Sequence, residues 1–264
     1  MKPLHLVQIT ALAFGLAGAL PALSANLPVT WDLTTTSTTK TQTSSGAGNS
    51  WKFTNGTSWI KASSYYAAQS SGAPTGNLAK AQTDVYSGGL AVCSNGETCT
   101  TAPQHALDNN TRQDYLLLEF DSVYAMNSFK IGWNAFQDYG TNTNRTSYDS
   151  DVQMWTGASN LAAGLDLTTA CSGTCTASTL ASLGFTSTNT KVFNDTTNGT
   201  SNAITGLSNS RYLLVSGALA SGNNDYFKMS SFTATKVPEP TSIALFALGL
   251  LTLTAVGARK RTKH

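Results

Sequence analysis

In Asp114-Tyr115-Leu116-Leu117-Leu118-Glu119-Phe120 the side chains fall into two interleaved sets. Leu116, Leu118 and Phe120 point one way, and Leu117 and Glu119 the other. A period of two belongs to a β-strand, and one apolar face set against a mixed one predicts a half-buried antiparallel strand. On that reading Glu119 is a solvated surface carboxylate. Downstream, Phe129, Ile131 and Trp133 alternate with Lys130, Gly132 and Asn134, and Val152 and Met154 with Asp151 and Gln153. Ser128–Phe136 and Ser150–Trp155 are therefore expected as two more strands.

The same signal extends to both sides. Trp51-Lys52-Phe53 and Trp59-Ile60 flank Asn55-Gly56, a favoured hairpin turn. Tyr65-Tyr66 precedes a Gly/Ser-rich loop at Ser70–Gly76, and Asp84–Val92 reads as one further strand. Leu161–Phe185 is less regular, with a helical turn near Leu180–Leu183. Arg211–Ser216 and Asp225–Thr235 close the body, and in the latter Phe232 is out of phase with Phe227 and Met229, which calls for a bulge. Short strands separated by turn signals, with no internal repeat, predict an all-β, antiparallel β-sandwich of jelly-roll-like form over residues 50–236. Ahead of it, ten of the twelve residues in Thr34–Ser45 are Ser or Thr. Such a tract offers little apolar area to offset its ordering entropy, so residues 26–49 are expected to be a flexible arm or an irregular edge strand.

Both ends differ in kind from the body. Lys2 and the uncharged Leu6–Leu20 stretch, broken by Pro21 before Ala22-Leu23-Ser24-Ala25, have the form of a signal peptide over residues 1–25, cut by signal peptidase after Ser24 or Ala25. At the other end, residues 237–264 hold Val237-Pro238-Glu239-Pro240, the uncharged Ser242–Ala258 stretch and Arg259-Lys260-Arg261. Two prolines fix φ and remove backbone donors, so the Glu239 neighbourhood must be extended. The 17 residues that follow suit a short transmembrane helix, and the basic cluster marks its cytoplasmic side.

Pro238, Glu239 and Pro240, an apolar helix and Arg259, Lys260 and Arg261, in that order within the final 27 residues, resemble the PEP-CTERM sorting tail of exported bacterial proteins. The resemblance implies that an exosortase, a membrane-embedded cysteine transpeptidase, recognises and removes the tail. A second resemblance covers residues 105–157. His105-Ala106-Leu107-Asp108-Asn109, the Asp114–Phe120 run, Phe129–Trp133 and Asp149–Gly157 look like a family of exosortase-dependent surface proteins, from which this chain departs in the polar insertion Gln137–Tyr148. No enzymatic activity is carried over with it.

The charge balance agrees with a body separable from its ends. The chain has 16 Lys+Arg and 14 Asp+Glu, net +2. Five of the basic residues lie in the terminal segments, and residues 26–240 keep 11 basic against 14 acidic, a net of −3. No basic domain face is left for nucleic acid. Only 11% of residues are charged, so hydroxyls and amides keep the surface soluble, as suits a secreted β-rich protein.

Little of the body suggests catalysis. Four cysteines form two close pairs, Cys93/Cys99 and Cys171/Cys175. In an exported protein they are disulfide candidates with three possible connectivities, of which the two local pairings are favoured. Five residues separate Cys93 from Cys99, too many for the usual zinc pairing. With the ends removed His105 is the only histidine, and no Gly-x-Ser-x-Gly marks a nucleophile, so a Ser/His hydrolase is disfavoured. Asp138, Asp149 and Asp151 are weak calcium candidates without a twelve-residue calcium loop. Trp155, out of phase with Val152 and Met154, with Tyr139 and Tyr148 in the neighbouring insertion, could stack on sugar rings. The alternative is that Trp155 packs the opposite face of a strand buried on both sides.

The expectation is a non-catalytic, cofactor-free protein of the cell envelope. It is transiently membrane-anchored and then cell-surface or extracellular, with a structural or adhesive role in a biofilm or exopolysaccharide matrix. The alternative is a carbohydrate-binding module, and a secreted hydrolase is third.

Overall fold

The computed structural model describes residues 26–70, 73–74, 77–100, 106–109, 112–134, 150–170, 177–218 and 225–238. In chain order the strands are β1 (Pro28–Asp32), β2 (Lys40–Gln42), β3 (Ser50–Asn55), β4 (Ser58–Ser70), β5 (Ala73–Pro74), β6 (Ala79–Lys80), β7 (Gln82–Tyr86), β8 (Gly89–Cys93), β9 (Leu107–Asp108), β10 (Arg112–Asn134) and β11 (Val152–Thr156). Two short helices follow, α1 (Leu167–Ala170) and α2 (Ala177–Ser182), then a 3-10 turn (Ser187–Asn189). The last strands are β12 (Thr190–Phe193), β13 (Ser201–Ala203), β14 (Ser210–Gly217) and β15 (Tyr226–Lys236). Every pairing among the described residues is antiparallel.

The fold turns on β10. Asp114–Phe120 and the run from Ser128, expected as two strands, are parts of one 23-residue strand. Its first half pairs with β4 (Arg112↔Ala68 to Phe120↔Ile60) and β14 (Leu116↔Val215 to Glu119↔Tyr212). Its second half pairs with β15 (Tyr124↔Lys236 to Asn134↔Phe227) and β13. Between them, at Asp121–Val123, the register shifts and the strand changes partners. The ladder is thereby continuous, in the order β12-β11-β14-β10-β15-β8-β7, and curls into one sheet.

The larger core lies inside the curl. It takes Leu116, Leu118, Phe120, Phe129 and Ile131 from β10, Val152 and Met154 from β11, Leu213 and Val215 from β14, and Phe227, Met229 and Phe232 from β15. The ladder slips between Lys130↔Ser231 and Ile131↔Met229, leaving Ser230 unopposed. That slip brings Phe232 onto the same face as Met229, as the sequence phase requires.

A second cluster covers the other face. Tyr115 and Leu117, Trp155, Tyr212 and Leu214 pack under Leu167 and Phe185 of the 157–186 segment, with Leu161, Leu165, Leu180 and Leu183 against them. Strands β10 and β14 are thus buried on both sides at this level, which explains the unbroken apolar runs Tyr115–Leu118 and Tyr212–Val215. Glu119 is corrected by the same observation. It is 5% exposed, accepts a hydrogen bond from the Gly164 N–H at 2.7 Å and lies 3.7 Å from the Lys61 ammonium.

Two further expectations change. Of the two readings of residues 26–49, the structure shows edge strands rather than a flexible arm: β1 pairs with β15, β2 pairs with β3, and Trp31 and Leu33 are fully buried. Counting apolar area over the Thr tract misses its local hydrogen bonds. Thr34 N–H and Oγ1–H both donate to Asp32 Oδ1, at 3.0 and 2.7 Å, and Thr36 Oγ1–H donates to Asp32 Oδ2. Such Asx- and Ser/Thr-turns order a polar loop without a core of its own. Asp84–Val92 is the β7–β8 hairpin, turned at Ser87-Gly88. Gly89, at φ 121°, lies so close to β15 that a Cβ would stand 2.1 Å from the Met229 carbonyl oxygen. At the first hairpin the two turn residues are Gly56-Thr57, and Gly56 takes the positive φ (59°) that the leading turn position needs.

Candidate functional site

The end of β15 delivers the chain to Pro238. Thr235 pairs with Pro28, the Asn26 side-chain amide donates to the Lys236 carbonyl at 2.7 Å, and the Val237 N–H donates to the Val123 carbonyl at 2.9 Å. The Lys236 ammonium donates to Asp121 Oδ2 at 2.9 Å. Trp59 N–H and the Tyr124 hydroxyl donate to Asp121 Oδ1 at 3.1 and 2.9 Å. Partial burial opposes ionisation of Asp121, but the Lys236 ammonium and these two donors outweigh it and hold the carboxyl below its usual range. Pro238 follows, exposed. Glu239, Pro240, Arg259, Lys260 and Arg261, the Ser242–Ala258 stretch and the residue 1–25 segment lie outside the described residues. Among those described, no helix is long and apolar enough to cross a membrane.

The cysteine pair Cys93–Cys99 is a disulfide, with Cα atoms 5.5 Å apart, at the end of β8. Inside its loop the Ser94 N–H donates to Glu97 Oε2 at 2.7 Å. The Ser94 hydroxyl donates to Oδ1 of Asp114, which is fully buried at the start of the Leu116–Phe120 run. Burial, then the charges of Asp108 and Glu97, push the Asp114 carboxyl well above its usual range, and its Oδ2 has no hydrogen-bond partner. Burial also raises Glu97, against the Ser94 N–H and Arg112. Cys171 and Cys175 lie outside the described residues.

Nearby, Lys228 is buried between aromatic rings, its ammonium 4.2 Å from the Tyr86 ring centre and 4.5 Å from that of Trp133. Desolvation lowers its pKa to about 8. The rings offset part of that desolvation through their negative faces.

The residues proposed for ligand binding separate. Trp155 is 8% exposed and packs against Tyr115 at 6.5 Å between ring centres, on the face covered by the 157–186 segment. Its phase therefore reports a strand buried on both sides, and Trp155 is not an exposed stacking platform. Tyr139 and Tyr148 lie outside the described residues, as do Asp138, Asp149 and His105. Asp151 is buried, its Oδ1 accepting the Asp195 N–H at 2.8 Å while its own N–H donates to Asp225 Oδ1 at 2.8 Å. That carboxylate holds the chain at Asp195, whose φ of 53° is the only positive one at a non-glycine position among the described residues. Asp151 is thus a positioning group within a polar network that also holds Asn109 and Asp225, 2.6 Å apart.

Sequence reasoning missed a cleft of about 300 Å³ between the Thr30–Thr39 segment and the Phe53–Gly56 turn. It is lined by the Thr36, Thr38 and Thr39 side of the loop, with Asp32 and Asn55. The hydroxyl-rich tract was its signal, but the tract reads as a shaped wall only once Trp31 and Leu33 are known to be anchored.

Comparison with known families matches the PEP-CTERM protein-sorting motif over residues 236–261, where β15 ends. No curated protein and no solved structure matches the chain. The motif implies an exported cell-envelope protein processed by exosortase. Residues 236–261 are a sorting tail of this kind, and the chain is a PEP-CTERM sorting-tail protein.

Proposed function

We propose that the chain is a non-catalytic structural or adhesive protein of the cell surface or extracellular matrix, delivered there through its tail. Residues 1–25 act as the signal peptide removed by signal peptidase. Ser242–Ala258 anchors the chain in the membrane until exosortase acts. The facing arms of the curled sheet serve as the two leaves of a jelly-roll-like sandwich, the working product of residues 26–236. The observation that carries this reading is the sorting motif joined directly to the last strand of the β body. In support, the candidate acids Glu119 and Asp151 are both occupied in holding backbone N–H groups.

Deleting the gene in the native organism tests it, with the wild-type gene and Glu119→Gln and Asp151→Asn variants restored separately. The reading expects altered biofilm or floc cohesion on deletion and recovery with any version that accumulates at the surface. Turnover of a polysaccharide or ester by the purified body, lost in either variant, would replace it with an enzyme.

The second reading is an exopolysaccharide-binding module, favoured by the hydroxyl- and amide-lined cleft at Thr36–Thr39 and Asn55. Pull-down on the organism's own exopolysaccharide, lost on Asn55→Ala but retained by Trp155→Phe, would select it.

A further inference from the structure

The last strand leaves almost no slack before the motif. Val237 is still hydrogen-bonded to Val123, and Lys236 is held on its carbonyl by Asn26 and on its ammonium by Asp121. A single peptide bond joins this fastened residue to Pro238, the first residue of the Pro-Glu-Pro tripeptide. A peptidase that reads an extended segment grips several residues through their backbone groups. A body fastened this close is carried against the enzyme with the tail.

The surface around the exit has its own character. Leu27 is 82% exposed, the largest value for a big apolar side chain among the described residues. It stands between Asn26, which holds Lys236, and Pro28, which pairs with Thr235. Val123, half-buried, lies across the exit where it accepts the Val237 N–H. A lone exposed leucine is ordinary, so its position beside the tail is what matters.

Resting on the reading of the tail as an exosortase substrate, we propose that this end of the body, formed by Leu27, Pro28, Val123 and Lys236, is a docking surface for the membrane-embedded transpeptidase. The folded edge and Pro238, where the motif begins, are presented together. The surface is short, with Leu27, Pro28 and Val123 beside one paired cation, Lys236.

The test uses the full chain in its native host and follows tail removal by pulse-chase with intact mass. Three variants are compared with wild type: Leu27→Glu with Val123→Glu, the same pair with a flexible Gly/Ser spacer of about 12 residues between Val237 and Pro238, and Glu239→Ala. An oxidised Cys93–Cys99 bond and a protease-resistant body report that each has folded. The expected result is processing about tenfold slower in the double variant, with recovery on adding the spacer. Wild-type processing of the folded double variant overturns the proposal. So does slow processing that the spacer leaves unchanged, because the damage then lies in insertion or export rather than in apposition. Wild-type processing of Glu239→Ala is a different failure: it removes the reading of the tail itself, and the docking surface with it.

Discussion

Trp31 shows how a single side chain can reverse the reading of a whole segment. Placed before a Thr-rich tract it carries no periodic signal, yet it lies edge-on to Phe120 at 5.7 Å and Tyr124 at 5.6 Å and draws residues 26–49 into the body. Its indole N–H is buried without an acceptor. Trp31→Ala should therefore cost about 3–5 kcal/mol of stability. Trp31→Phe, which keeps much of the ring contact and removes the unsatisfied donor, should cost under about 2 kcal/mol, both read by denaturant unfolding. Asp114 gives a pH signature. Its pKa is raised in the folded state, so the native chain binds more protons than the unfolded one above the ordinary aspartate value. Stability from this group is fully present below about pH 4 and is lost as pH rises through the folded value. Asp114→Asn should unfold at higher temperature than wild type at pH 7, and the advantage should vanish at pH 3. Lys228 has the opposite sense. Its native state releases a proton near pH 8 while the unfolded chain holds it to about 10.5, so stability rises with pH across that window. Burial raises the Tyr65 and Tyr115 hydroxyls, and their stabilisation begins to fall away near the ordinary tyrosine value of about 10. The difference between wild type and Lys228→Met, followed by thermal melts from pH 7.5 to 9.5, should isolate the lysine; equal slopes would show that it is not desolvated as described.

At the scale of elements, periodicity made the β class and the phase of the inner core legible. Leu116, Leu118, Phe129, Ile131, Val152 and Met154 all lie in the larger cluster. What alternation could not convey is what covers the second face. Leu117, Glu119 and Trp155 fall outward from that core, and nothing local distinguishes water from the 157–186 segment as their neighbour. Nor could it tell one bent strand from two. Between the two runs of alternation, Trp59, Tyr124 and Lys236 bind Asp121 and keep the chain extended through the change of partners. The β7–β8 turn was hidden for a related reason, since its glycines serve close backbone packing against β10 and β15 as well as the reversal. The disulfide was legible as a local pair, and its short loop limits its weight. Removing it with Cys93→Ala and Cys99→Ala together should cost about 2 kcal/mol by loop entropy, observed as a lower denaturant midpoint at unchanged slope. A loss several times larger would mean that the loop also holds Asp114 in place through Ser94.

For the whole molecule, the address was more readable than the task. The tail is a local motif whose parts follow one another in sequence, and the family match falls on it, at residues 236–261. A cleft is assembled from separate stretches of the chain, here Thr30–Thr39 against Phe53–Gly56, and no single run declares it. The fold adds a physical link between the two problems: β1 and β15 are paired, so Asn26 and Lys236 leave the body side by side. Both terminal segments consequently join the body at the same edge. The central claim is that these segments are delivery labels and that the acid-leaning middle is what works outside the cytoplasmic membrane. Intact mass of the chain purified from native envelope and culture medium tests it most directly. The account predicts a species beginning at Ala25 or Asn26, lacking the apolar tail and its Arg259-Lys260-Arg261 cluster, with Cys93 and Cys99 oxidised. A full-length mass with both ends kept and Cys93 and Cys99 reduced, recovered from the cytosol, would contradict it.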